Sequence, residues 1–181
     1  TGARAMTGSS SPGIALMGES ISHCGSAEIP MVIVNSQRAG PSTGMPTKIE
    51  QGDLGMMISG GNGDFPRIVL SPGDASECFE IGALATNLAQ IAQCPVFIAL
   101  DRALSQDSMT VPVFDLDSVE MNTGKMLSAT EVAELDEYKR YSVTEDGISP
   151  WAVPGTPGGM SLVTGNERNE WGQDRKSTRL N

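Results

Sequence analysis

The sequence predicts an α/β protein: a mainly parallel sheet with helices on both faces, followed by an extended Pro/Gly-rich C-terminal arm. Three short apolar runs without alternation carry the expectation: MVIVNS (31–36), RIVL (67–70) and PVFIAL (95–100). A strand with one wet face alternates apolar and polar residues. A run apolar throughout is covered on both faces, which is what helices above and below a parallel sheet do. Stretches of helical period lie between the strand candidates, so the chain reads as strand, helix, strand units with right-handed crossovers.

In order, ARAMT (3–7) is a short first strand, and SSSPGIALMGESISHCGSAE (9–28) is a helix. Pro12 suits its first turn, because proline lacks the N–H that goes unbonded there, and Ile14, Met17, Ile21 and Cys24 fall on one face. After MVIVNS comes a polar loop, then GDLGMMISG (52–60), a helix with Glu50 and Asp53 placed near the positive end of its dipole. RIVL is followed by DASECFEIGALATNLAQIAQ (74–93), a helix capped by Asp74, with Cys78, Ile81, Leu84, Leu88 and Ile91 as its apolar face. PVFIAL then returns to the sheet.

The character changes after about Gln106. Residues 1–106 read as the α/β domain and 107–171 as a connector and arm. Within the arm TVPVFDLDSVEMNTGKML (110–127) is extended, and SATEVAELDEYKRY holds a short helix with Ser128 and Glu131 as a capping box. Residues 172–181 (GQDRKSTRLN) are abruptly polar and basic, resemble translated adaptor sequence, and are set aside as a non-native tail.

Composition narrows the partners. The 181 residues carry a net charge of -10, or -12 once the tail is removed, with 21 acids against 9 bases. That balance argues against nucleic acid, whose affinity comes from clustered Lys and Arg. No apolar run approaches the roughly 20 residues that span a bilayer, so no membrane segment is expected. Cys24, Cys78 and Cys94 are scattered, which fits a reduced, cytoplasmic setting and offers neither a disulfide framework nor iron-sulfur spacing.

In such a sheet ligands bind beyond the carboxyl ends of the strands. Two loops leave those ends, TGSSSPG (7–13) and QRAGPSTGMPTKIEQGDL (37–54). Arg38 follows its strand almost directly, where a guanidinium can grip a carboxylate bidentately or pair with Glu50 or Asp53 on the surface. Thr43, Thr47 and Lys48 add hydroxyls and a cation to the same loop, which suits an anionic or carbonyl-bearing small molecule. Ser9, Ser10 and Ser11 form a turn into a helix, either a polar-ligand site or plain capping. His23 has no second histidine to share a metal with, and no metal site is expected.

AMTGSSSPGIALM, VIVNSQRAGPSTGMPTKIEQGDL, YKRYSVTEDGISPWAVPGTPGG and TGNERNEWG together resemble the alpha subunit of 2-oxoacid:ferredoxin oxidoreductases, most closely the 2-oxoglutarate type. The resemblance runs from the first residues to Gly172 in the family's order, and RxGPSTGxPTKxEQGDL is its most specific part. It implies a thiamin diphosphate-binding fold of the pyrimidine-side type. A separate beta subunit would supply the diphosphate site, Mg2+ and a [4Fe-4S] cluster, in a hetero-oligomer that passes electrons to ferredoxin and the acyl group to coenzyme A.

By position, the resemblance makes Arg38 the arginine that binds the substrate carboxylate and Thr47 its neighbour facing the 2-oxoacid. The serine turn matches a Thr-Ser-Gly-Pro-Gly turn beside cofactor and substrate, with Ser11 in the place of a glycine. The acid that activates the aminopyrimidine lies upstream of the matched region in the family, so this chain, as a fragment, is expected to be inactive alone. Other readings are a pyruvate or branched 2-oxoacid enzyme, or a non-catalytic assembly module.

Overall fold

A computed structural model describes residues 2–174. Its contacts divide the chain into two compact units, one from Arg4 to Asn122 and the other built from the chain after Asn122 together with residues 2 and 3.

The first unit is the expected α/β layer structure. Its strands are β1 (Met6–Ser10), β2 (Met31–Gln37), β3 (Ile68–Leu70) and β4 (Pro95–Asp101), all parallel, in the order β1-β2-β4-β3. Its helices are α1 (Ser11–Ala15), α2 (Gly18–Ala27), α3 (Leu54–Ser59), α4 (Ala75–Ala92) and α5 (Arg102–Gln106). From β1 to β2 and from β2 to β3 the chain advances in one direction across the sheet; from β3 to β4 it steps back. If every crossover keeps one hand, a reversal of direction must put its helix on the opposite face. The cores show that arrangement. Ile14, Ile21 and Met57 from α1, α2 and α3 pack with Ile33, Phe97 and Ala99. On the other face Ala85 and Ala89 of α4 pack with Val32, Val96 and Ile98. Successive residues Val32 and Ile33, or Val96 and Phe97, thus serve opposite cores, which is why these runs do not alternate.

Three local features differ from the sequence expectation. β1 lies later than ARAMT, because pairing from Met6↔Val32 to Ser10↔Ser36 draws the serines into the ladder. The long first helix is two helices. Met17 N–H turns back to Ile14 O at 2.9 Å, and α2 restarts at Gly18, a residue that favours helix weakly. The expected face survives the break, with Ile14, Ile21 and Cys24 buried and Met17 packed against the same core. On α4 the buried face is turned: Leu84 is 46% exposed while Ala85 and Ala89 are buried, flanked by Ile81 and Leu88. Small side chains bring the helix close to the sheet, and periodicity counted on large residues overlooks them.

The Asp74 cap is present: its Oδ1 accepts from Ser76 N–H at 2.8 Å and Glu77 N–H at 2.9 Å. Asp74→Ala is expected to cost about 0.5–2 kcal/mol, read as a lower urea midpoint at unchanged m value.

The first unit runs past residue 106 to Asn122. Asn87 of α4 donates to Glu120 O and accepts from Asn122 N–H, Arg4 reaches Asn122 O at 2.8 Å, and Phe114 stacks on Phe79 at 4.5 Å. These contacts hold the chain after α5 on α4. Of the stretch expected to be extended, Leu116–Ser118 is a 3-10 turn and only β5 (Met126–Leu127) is strand.

In the second unit β5 pairs in parallel with β6 (Trp151–Ala152), and α6 (Ala129–Ala133) carries the expected Ser128/Glu131 capping box. The guanidinium groups of Arg140 and Arg168 both lie over the Tyr141 ring, 4.7 and 4.2 Å from its centre. Gln173 O accepts from Asn169 N–H; the remainder of the proposed non-native tail, 175–181, lies outside the described residues. Among the described residues no helix is long and apolar enough to cross a membrane.

Candidate functional site

The carboxyl ends of β1, β2 and β4 meet at one edge of the sheet, since Ser10 pairs with Ser36 and Gln37 with Asp101. The serine turn, the Arg38 loop and the start of α5 leave the sheet at that edge.

Ser9 and Ser10 close β1, and Ser11 is the first residue of α1, buried, with its hydroxyl oxygen accepting from Arg38 N–H at 3.2 Å. The two sequence-predicted loops are therefore joined directly. Ser11 has no positive φ, so its replacement of glycine asks nothing unusual of the backbone. At Gly13 a Cβ would meet the Ser9 hydroxyl, which would have to swing aside.

Residues 40–52 form an exposed loop that folds on itself. Ala39 N–H donates to Lys48 O at 3.2 Å, Met45 N–H to Ala39 O at 2.9 Å, and Lys48 N–H to Met45 O at 2.9 Å. Gly44 sits at φ +51, where a Cβ would run into the Ala39 carbonyl. Thr43, Thr47 and Lys48 are all exposed on this loop.

Arg38 is half-buried, and its Nε is fully buried without a hydrogen-bond partner among the described residues. The surface pair with Glu50 or Asp53 is absent. Glu50 Oε2 instead accepts from Gly40 N–H at 3.0 Å, and Asp53 Oδ2 accepts from Asn35 Nδ2 at 3.0 Å. Asp53 N–H in turn donates to Gln37 Oε1 at 3.0 Å. Both acids thus brace the loop and the entry to α3. Asn35 is fully buried, and its Oδ1 is a second polar atom without a partner.

The sequence reading passed over Gln51, Asp101 and Arg102. Gln51 Nε2 donates to Asp101 Oδ2 at 2.8 Å, tying the Arg38 loop to the end of β4, while Asp101 Oδ1 caps α5 through Leu104 N–H at 2.9 Å. The signal was present: Asp101-Arg102 follows the apolar run PVFIAL much as Gln37-Arg38 follows MVIVNS. His23 is exposed, and among the described residues no group of three His, Cys, Asp or Glu side chains comes together to hold a metal.

The Leu104 N–H bond first, and the Gln51 bond second, hold the Asp101 carboxyl below the usual carboxylate range. A depressed folded value contributes stability above the unfolded pKa, and that stability is lost as pH falls through the folded one. The tie between loop and strand is therefore intact at neutral pH and fails in acid, below the ordinary aspartate range. In a carbon-13 carboxyl titration, Gln51→Ala is expected to move the Asp101 inflection up toward the ordinary value but not onto it, because the larger Leu104 contribution remains.

The likeness to known proteins covers nearly all of the chain. The family described as pyruvate flavodoxin/ferredoxin oxidoreductase, thiamine diphosphate-binding, matches residues 1–166. A 2-oxoacid:ferredoxin oxidoreductase subunit alpha of Saccharolobus solfataricus is 42% identical over 174 residues, 95% of this chain and 27% of that protein. A 2-oxoglutarate synthase subunit KorA of Methanothermobacter thermautotrophicus is 34% identical over 95% of this chain and 44% of its own length. A solved 2-oxoglutarate:ferredoxin oxidoreductase from Magnetococcus marinus, with 2-oxoglutarate, coenzyme A and succinyl-CoA bound, superposes with a TM-score of 0.90. It is 40% identical, and the match covers 97% of this chain and 30% of that one. This chain thus spans between about a quarter and under half of the length of these relatives. With the parallel sheet, the polar carboxyl edge and a family match from residue 1 to 166, the chain belongs to the thiamine diphosphate-binding family of 2-oxoacid:ferredoxin oxidoreductase alpha subunits.

Proposed function

We propose that this chain forms the substrate-facing part of a thiamine diphosphate enzyme that oxidatively decarboxylates 2-oxoglutarate to an acyl-coenzyme A, with ferredoxin as electron acceptor, or runs the reverse carboxylation. The observation that carries the reading is Arg38: a guanidinium beyond a central parallel strand, with a buried Nε left without a partner while both nearby acids are bonded elsewhere. A buried donor without a partner costs on the order of 1–3 kcal/mol. A bound carboxylate removes that cost and gains a charge-assisted pair.

The remaining roles follow the same edge. Thr47 faces the 2-oxoacid beside Arg38, with Thr43 and Lys48 on the same loop, and the Ser9–Ser11 turn lies next to substrate and cofactor. With Arg38 Nε taken by the substrate carboxylate, the other buried polar atom without a partner, the acceptor Asn35 Oδ1, suits a donor on the pyrimidine side of thiamine diphosphate. When bound, the cofactor supplies the nucleophilic carbon for the 2-oxo group. As the family resemblance implies, the carboxylate that activates the aminopyrimidine comes from other residues of the subunit; Glu50, Asp53 and Asp101 brace the loop and the strand ends. The diphosphate site, Mg2+ and the [4Fe-4S] cluster belong to a beta subunit, in a cytoplasmic hetero-oligomer.

The test is reduction of a viologen dye by the full alpha subunit assembled with its beta subunit. Reduction is expected to require both 2-oxoglutarate and coenzyme A. A complex that contains thiamine diphosphate yet reduces the dye with no 2-oxoacid would rule the reading out; one that turns over only pyruvate or a branched 2-oxoacid would correct the substrate.

A further inference from the structure

The bases of this acidic chain are not spread evenly in their engagements. Nine Lys and Arg precede the tail. Arg4 is bonded to Thr86, Asn87 and Asn122 O, and Arg67 to Met57 O and Gly60 O. Lys125 pairs with Asp146 and Lys139 with Glu170, while Arg140 and Arg168 lie against Tyr141. The other three are Arg38, Lys48 and Arg102, and all three belong to the segments that leave the carboxyl edge of the sheet. None of the three is in an ion pair with an acid among the described residues.

Arg102 is the one whose position repeats that of Arg38. Gln37 and Asp101 are register partners on adjacent parallel strands, so Arg38 and Arg102 are the next residues of neighbouring chains, whose backbones lie about 4.8 Å apart. Like Arg38, Arg102 is half-buried and has a fully buried Nε without a partner; its Nη1 donates to Gln106 Oε1. Its neighbour Asp101 makes no ion pair with it; the Asp101 oxygens accept from Leu104 N–H and Gln51 Nε2. Two cationic side chains rooted on adjacent strand ends favour an anion there, and one with two charged ends can meet both where one with a single end meets one.

From this placement we infer that Arg102 binds the distal carboxylate of a dicarboxylic 2-oxoacid, as the specificity partner of Arg38. The inference rests on the 2-oxoacid reading above and adds the residue that selects dicarboxylic over monocarboxylic substrates. Arg38 takes the carboxylate beside the 2-oxo group, which every 2-oxoacid has. Arg102 takes the one at the far end, which only a dicarboxylate has. Lys48, exposed on the loop, is not assigned this role.

The experiment compares wild type, Arg102→Gln and Arg102→Lys in the assembled complex, with 2-oxoglutarate and 2-oxobutyrate as substrates. For 2-oxoglutarate, Arg102→Gln is expected to lower kcat/KM by about 10- to 100-fold, the size of a hydrogen bond to a charged group. The value for 2-oxobutyrate should stay within about twofold, and Arg102→Lys should recover part of the lost preference because the charge is kept. Equal loss on both substrates would mean a structural role, and no loss on either would mean none; either result overturns the inference. Calorimetric binding of glutarate and butyrate separates this outcome from failure of the 2-oxoacid reading itself. Tighter binding of glutarate that disappears in Arg102→Gln supports the Arg102 site even in a complex without turnover. Glutarate binding that is the same in wild type and variant removes the site even where turnover is normal.

Discussion

Replacing Arg38 with alanine in the assembled complex is expected to lower kcat/KM for 2-oxoglutarate by about 30- to 5,000-fold, the equivalent of ~2–5 kcal/mol for a desolvated charged contact left unpaired. The magnitude decides between two readings of the same residue. An exposed ion pair contributes under about 1 kcal/mol, and its removal would change the rate constant by less than about fivefold. The structure favours the larger figure. Arg38 Nε is fully buried, Glu50 and Asp53 are committed to Gly40 N–H and Asn35, and Ser11 fixes the Arg38 backbone rather than its guanidinium. Arg38→Lys should fall between wild type and alanine, because a lysine keeps the charge but cannot make two parallel hydrogen bonds to a carboxylate. Steady-state dye reduction across a range of 2-oxoglutarate concentrations checks the series. An unchanged kcat/KM in Arg38→Ala would show that the carboxylate is held by another group.

Phe97→Ala is expected to destabilise the α/β unit by about 3–5 kcal/mol, in the range for removing a buried aromatic ring. Phe97 is 1% exposed, lies in β4 between Ile33 and Val69 by register, and packs against α1, α2 and α3 through their shared core. It also borders an apolar pocket of about 140 Å3, open to the surface, with Ile14, Ile21, Met56 and Gly60. Deleting the ring would open this core into that pocket, so the effect should lie within the range. Denaturant unfolding of the alpha subunit, followed by circular dichroism, measures it. Phe97→Leu, which keeps most of the volume, should recover more than half of the loss. A midpoint unmoved by Phe97→Ala would mean that β4 is not the centre of this core.

Much of this architecture could be read from the chain because of a feature of its central strands. Val32, Ile33, Val96, Phe97 and Ile98 are apolar at every position, and that pattern makes sense only with helices on both faces. The caps were equally legible, since Asp74 and the Ser128/Glu131 pair are local chemistry that needs no tertiary context. What the sequence hid was set by packing. The break at Leu16 and Met17 interrupts a helix without disturbing its apolar stripe, and the inner face of α4 is made of alanines where leucines drew attention.

At the candidate site, Arg38 was conspicuous because it follows an apolar strand and sits in a loop of unusual composition. Arg102 was not, although it occupies the matching position one strand over. The difference is that α5 begins at once after β4, so Asp101-Arg102 looks like an ordinary helix start rather than the rim of a site. Only the register of β2 against β4, a long-range pairing, puts the two arginines side by side. Asp53 and Gln51 are a similar case: their partners lie on β2 and β4, and spacing along the chain does not reveal which bond each will make.

The most direct measurement is the structure of the assembled complex, with 2-oxoglutarate bound in the absence of coenzyme A. The substrate carboxylate next to the 2-oxo carbon is expected on Arg38, with two N–H···O contacts of about 2.7–2.9 Å and Thr47 beside it. A substrate bound elsewhere, with Arg38 Nε still buried and without a partner, would contradict the assignment of this edge as the 2-oxoacid site.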